Sequence, residues 1–132
     1  MKTRLEPRQM EILRKTLDDR ARALREEIRQ TLIKSDSEQY RQIAAEVHEL
    51  EDDSFADLMV DVNLAEIDRD LDELRAVDAA ILRMSDGRYG SCDECGLKID
   101  FDRLQATPFA VRCFDCQSLH ERTHYNRQGH TL

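Results

Sequence analysis

Cys92 and Cys95 form one CxxC pair and Cys113 and Cys116 a second, with 17 residues between the pairs. Two intervening residues let both thiolates of a pair face one ion. Four thiolates complete a tetrahedron at about 2.3 Å from zinc and leave no position for water. The chemistry predicted is therefore a closed, structural zinc site, a staple for a segment too small to build its own core. An iron-sulfur or mononuclear iron site and a redox dithiol use the same residue types, because spacing alone does not choose the metal. Gly96, directly after the first pair, suits a tight metal-binding turn. His120, His124 and His130 follow the second pair and read as exposed helix and tail residues, since the cysteines already fill the coordination. His48, near the tip, reads as an ordinary surface residue. No nucleophile-base arrangement and no phosphate-binding loop is present, so no enzymatic activity is expected.

The elements that must hold this site differ sharply in composition from it. Residues 8 to 84 contain no Gly, Pro or Cys, whereas all four cysteines and three of the four glycines lie between Gly87 and Cys116. Upstream, Met10, Leu13, Leu17, Leu24, Ile28 and Leu32 recur at helical spacing behind Pro7, a first-turn residue. Ser35-Asp36-Ser37-Glu38 reads as a capping box that starts a second helix, whose stripe is Tyr40, Ile43, Ala44, Val47 and Leu50. Leu64, Ile67, Leu71, Leu74 and Ile81 give a third stripe at coiled-coil spacing, interrupted at Asp78. The chain reverses near Glu51-Asp52-Asp53-Ser54. Leu97 to Arg112 is expected to be a short irregular or β segment closed by Pro108, and Gln117 to Tyr125 a helix. The predicted fold is mainly α, with three parts. Residues 1–34 form an N-terminal helix at the base of a hairpin. Residues 35–86 form an antiparallel coiled-coil hairpin with an acidic tip near 49–54, and 87–132 form the four-cysteine finger and C-terminal helix.

The chain has 132 residues, with 36% charged residues, 5% aromatics and no Trp, so its core must come from aliphatic side chains on amphipathic helices. The net charge of −8 argues against a broad basic face held to nucleic acid. From Glu46 to Glu73 there are 12 acidic residues against one base, Arg69, whereas residues 1–33 carry nine bases and six acids. Such crowding of carboxylates raises self-repulsion, so it reads either as a solvated surface or as a tip that enters a basic or metal-containing cleft of a partner. No apolar run is long enough to span a membrane, and the N-terminus lacks a signal-peptide segment, which predicts a cytoplasmic protein. In a reducing compartment metal binding is the expected use of the cysteines.

The pattern Tyr89-Gly90-x-Cys92-x-x-Cys95-Gly96-x-x-Ile99-x-x-x-Arg103-Leu104-x-Ala106-x-Pro108-x-Ala110-x-x-Cys113-x-x-Cys116-Gln117 resembles the zinc-finger signature of the DksA/TraR family. The close match covers 29 residues, and the acidic helical hairpin ahead of it agrees in order and approximate length. The resemblance implies a bacterial transcription regulator that binds RNA polymerase directly and inserts its coiled-coil tip through the secondary channel. It implies no sequence-specific DNA binding, and a monomer. Carrying the family's Asp-x-x-Asp-x-Ala tip back from Cys92 without a gap places Glu49, Asp52 and Ser54 at those three positions, so only the second acid matches. Arg69 falls on an arginine that docks on the polymerase rim, with an intrahelical pair to Glu66 or Glu73 as its ordinary alternative. Ala76, Thr107 and Gln117 stand where the family's alarmone response uses bases, which implies weak or absent guanosine tetraphosphate dependence and a divergent paralogue. A thiol redox or stress sensor, and a metal-stapled adaptor for another protein, are the competing functions.

Overall fold

The computed structural model describes residues 5–47, 55, 58, 59 and 65–129. Among the described residues the helices with bounds at both ends are, in order, α1 (Pro7–Ile33), α2 (Glu38–Val47), α3 (Ala65–Ser85), α4 (Phe101–Ala106) and α5 (Phe114–Gly129). Among the described residues there is no strand, and β pairing is confined to an isolated antiparallel bridge between Ser91 and Lys98. The protein is mainly helical, with its four cysteines towards the C-terminus. No helix among the described residues is long and apolar enough to cross a membrane.

Helix α1 begins where proline costs nothing, because the first-turn N–H has no intrahelical acceptor. Glu6 caps it, with its own N–H donating to Gln9 Oε1 at 3.0 Å and its carbonyl accepting from Met10 N–H at 2.9 Å. The buried face is Leu13, Leu17, Ala21, Leu24, Ile28 and Leu32, at steps of three and four. Ala21 fills the gap between Leu17 and Leu24 in the sequence pattern, and Met10 is only half-buried. Helix α2 departs from its expected start. The Ser37 hydroxyl accepts from Tyr40 N–H at 3.3 Å and is the cap, whereas Ser35 Oγ accepts from Ser37 N–H at 3.1 Å. The capping box read at Ser35 is thus displaced by two residues, and Ser35 belongs to the turn before the helix. Arg41 closes that turn by donating to the Ser35 carbonyl at 2.8 Å.

Helix α3 buries Ile67, Leu71, Leu74, Val77 and Ala80, not the strict coiled-coil continuation through Asp78 and Ile81. Its C-terminus is a Schellman motif: Arg88 N–H donates to the Arg83 carbonyl at 2.9 Å and Gly87 N–H to the Met84 carbonyl at 3.2 Å. Gly87 occupies the left-handed position, with φ 75°. The expected irregular or β segment between the cysteine pairs instead contains α4, six residues that follow Asp100.

The chain divides into two compact units. One comprises the described residues of 18–78, whose core is Ala21, Leu24, Ile28 and Leu32 of α1, Ile43, Ala44 and Val47 of α2, Phe55 and Met59, and Ile67, Leu71, Leu74 and Val77 of α3. Here Arg20 pairs with Glu73 and Arg25 with Asp78 at 3.1 Å, so basic α1 meets acidic α3. The other comprises the described residues of 1–17 and 79–132, with Leu13, Leu17, Ala80, Tyr89, Ile99, Leu104 and Ala110 buried.

Candidate metal centre

The first cysteine pair is shaped by backbone bonds around a glycine. Cys92 N–H donates to the Leu97 carbonyl at 2.8 Å and Gly96 N–H returns to the Cys92 carbonyl at 2.9 Å. That turn requires φ 74° at Gly96, a value that side chains disfavour. The second pair is shaped by a helix. Cys113 accepts from Gln117 N–H at 2.9 Å through its carbonyl, and Cys116 lies in the first turn of α5. The expected helix beginning at Gln117 thus starts three residues earlier, and its first turn presents the last ligand.

Two further bonds bring the pairs together. Asp93 N–H donates to the Val111 carbonyl at 2.8 Å, and Tyr89 Oη donates to the Pro108 carbonyl at 2.6 Å. The four Sγ atoms lie within 4.8 Å of one another, and those of Cys95 and Cys113 are 3.8 Å apart. A zinc-thiolate bond of about 2.3 Å implies a tetrahedral edge of about 3.8 Å, so the donor set fits one four-coordinate ion. A disulfide, at about 2.05 Å, does not describe this spacing. Cys92 is buried, Cys113 and Cys116 half-buried and Cys95 exposed.

The sulfurs also disturb one another's titration. Burial raises the Cys92 thiol, but backbone hydrogen bonds from Cys95, Cys113 and Glu94 outweigh it and bring it down to about 6. The hydrogen bond with Cys113, followed by burial, pushes the Cys116 thiol up. At Cys95 a bond from the Leu97 backbone lowers the thiol, yet burial and the Cys92 and Cys113 sulfurs leave it raised. Four adjacent thiolates repel, and a divalent cation is the group that lets all four ionise.

Behind the first pair stands a buried residue that no sequence motif marks. Arg83 of α3 is 6% exposed, and its Nη1 donates to Asp93 Oδ1 at 2.5 Å. An arginine beside the apolar face of a helix gives no sequence signal of its burial. Arg69 is exposed on α3, while the Glu73 offered as its intrahelical partner pairs with Arg20 instead. Glu49, Asp52 and Ser54 lie outside the described residues. Thr107 caps α4 and Gln117 sits in α5, where its side chain accepts from Arg112 at 3.4 Å and donates to Glu121 at 3.0 Å.

The model of the prokaryotic dksA/traR C4-type zinc finger matches residues 87–122. General stress protein 16O of Bacillus subtilis is 40% identical over 62 residues, 47% of this chain and 37% of that protein. The RNA polymerase-binding transcription factor DksA of Caulobacter vibrioides is 40% identical over 55 residues, 42% of this chain and 39% of that one. The chain thus spans less than two fifths of the length of these curated relatives. The solved structure of DnaK suppressor protein from Agrobacterium tumefaciens matches with 33% identity over 83% of this chain and 92% of that one, with a TM-score of 0.54. The transcription factor DksA2 of Pseudomonas aeruginosa shares the fold at 21% identity and a TM-score of 0.61, over 91% of this chain and 88% of that one.

Proposed function

The chain belongs to the prokaryotic DksA/TraR family of C4-type zinc-finger proteins, and we propose that it is a transcription regulator that acts by binding bacterial RNA polymerase directly. The observation that carries the proposal is the match to the Agrobacterium structure, which takes in the helices as well as the finger. Its four cysteines hold one structural zinc ion, and that ion shapes the protein without taking part in a reaction. The regulator works by charge and shape, with no catalysis of its own.

In this reading the acidic segment enters the polymerase secondary channel tip first, with Glu49, Asp52 and Ser54 foremost and Arg69 docking at the rim. Twelve acids against one base between residues 46 and 73 supply a field that steers the tip towards a basic, metal-containing cleft. The protein acts in the cytoplasm as a monomer and makes no sequence-specific DNA contact. Ala76, Thr107 and Gln117 cannot pair with phosphates as Lys or Arg would, so guanosine tetraphosphate has little effect.

The test is competition of the zinc-loaded, full-length protein against a secondary-channel ligand on bacterial RNA polymerase. Wild type competes, and its affinity falls with added salt. Arg69→Glu weakens binding about tenfold or more, whereas Asp52→Arg binds but loses its effect on transcription. A folded, zinc-loaded chain that does not compete removes the proposal and leaves the thiol-sensor or adaptor reading.

A further inference from the structure

We propose that Arg83 is a positioning residue that couples metal occupancy of the four-cysteine site to the order of the last turn of α3. The inference rests on the cysteines binding metal and does not depend on polymerase binding. Arg83 meets the finger through both its main chain and its side chain. Its carbonyl accepts from Arg88 N–H at 2.9 Å and Tyr89 N–H at 3.2 Å, which ends the helix. Its guanidinium reaches past that turn: Nη1 donates to Asp93 Oδ1 at 2.5 Å, and Nη2 to the carbonyls of Ser91 at 2.9 Å and Arg88 at 3.3 Å. Ser91 and Asp93 are the two residues flanking the ligand Cys92. Asp93 N–H in turn holds the Val111 carbonyl, two residues before the ligand Cys113.

A guanidinium withdrawn from water depends on its acceptors, because an uncompensated buried charge is strongly unfavourable. Two of its three acceptors lie on the loop that metal ligation shapes. Arg83 Nε is buried without a hydrogen-bond partner, so Nη1 and Nη2 make all the bonds that hold the charge. When the ion leaves and the 91–96 loop opens, Asp93 and Ser91 move away from the guanidinium. The charge then reaches water by unwinding the turn that carries it. The coupling is reciprocal: whatever metal does for the order of the turn, an ordered turn does for metal affinity by the same factor.

The experiment uses the full-length protein with and without zinc, removed by a chelator. Backbone hydrogen exchange at Arg88 and Tyr89 is measured alongside zinc affinity by chelator competition. In wild type, zinc removal speeds exchange at these two amides at least about tenfold, in line with the 10–100-fold effects of residues that orient metal ligands. Arg83→Met lowers zinc affinity by a similar factor and makes exchange at Arg88 and Tyr89 insensitive to zinc, which a merely structural role would not do. Arg83→Lys recovers part of the affinity. Should Arg83→Met fail to fold, Asp93→Asn removes the carboxylate charge from a side chain that is 50% exposed, and its zinc affinity falls in the same way. Unchanged zinc affinity in Asp93→Asn, or exchange in wild type that ignores zinc, overturns the coupling. A wild-type chain that takes up no zinc overturns the metal site as well.

Discussion

Tyr89 Oη lies 2.6 Å from the Pro108 carbonyl, and both residues are buried. The bond joins the segment three residues before Cys92 to the segment five residues before Cys113, so the two halves of the finger are tied by the protein as well as by metal. Tyr89→Phe leaves the Pro108 carbonyl without its donor in a dry setting and destabilises the zinc-loaded protein by about 1–3 kcal/mol in urea denaturation. Burial raises the Tyr89 phenol, with Arg83 opposing it. The folded protein therefore keeps this proton where the unfolded chain loses it. The resulting stability is fully present below about pH 10 and is lost as pH rises beyond it, at up to about 1.4 kcal/mol per unit. Tyr89→Phe flattens that alkaline slope, and a phenylalanine variant with the wild-type slope would contradict the assignment.

Gly87 isolates a backbone effect. Its φ is 75°, and a Cβ there would meet nothing within 4 Å. Gly87→Ala consequently costs about 1–2 kcal/mol through conformation alone. Gly87→Asn costs less, since Asn tolerates the left-handed region. Denaturant midpoints of the two variants at constant slope provide the check. An alanine variant as stable as wild type would mean that the Schellman turn does not close the helix.

The ion pairs between α1 and α3 differ in exposure. The Arg20 and Glu73 side chains are 44% and 29% exposed, while Arg25 is 17% exposed opposite Asp78 at 43%. A double-mutant cycle of Arg20→Gln with Glu73→Gln gives a coupling of about 0.2–1 kcal/mol that shrinks in 1 M salt. The Arg25→Gln and Asp78→Asn cycle gives the larger coupling and the weaker salt dependence, because water screens Arg25 less. Equal coupling and equal salt sensitivity would show that burial does not distinguish the pairs.

What could be read from the sequence follows the range of each signal. The four cysteines announce their site because two-residue gaps have few other uses, and Leu13 to Leu32 announce α1 because the pattern runs for several turns. Ala21 is missed in that stripe because its methyl carries little apolar weight. Ser35 and Ser37 offer competing caps two residues apart, and only the geometry shows which hydroxyl meets the Tyr40 amide. Helix α4 spans six residues, too few for a period to declare itself. The Arg20–Glu73 and Arg25–Asp78 pairs join residues 53 apart, a separation at which no local pattern operates. The same holds on a smaller scale for Arg83 and Asp93.

The placement of the cysteine pairs, one on a glycine turn and one on the start of α5, bears on how the finger folds. Each pair is placed by contacts within a few residues, and the ion fixes the 91–96 loop while joining it to the start of α5. What remains is closure of a 17-residue loop, for which chain entropy charges about 2.5 kcal/mol beyond a constant. Structural zinc in small fingers contributes about 10–16 kcal/mol. The ion thus outweighs that closure several-fold, and the length of the intervening loop has little leverage over the outcome.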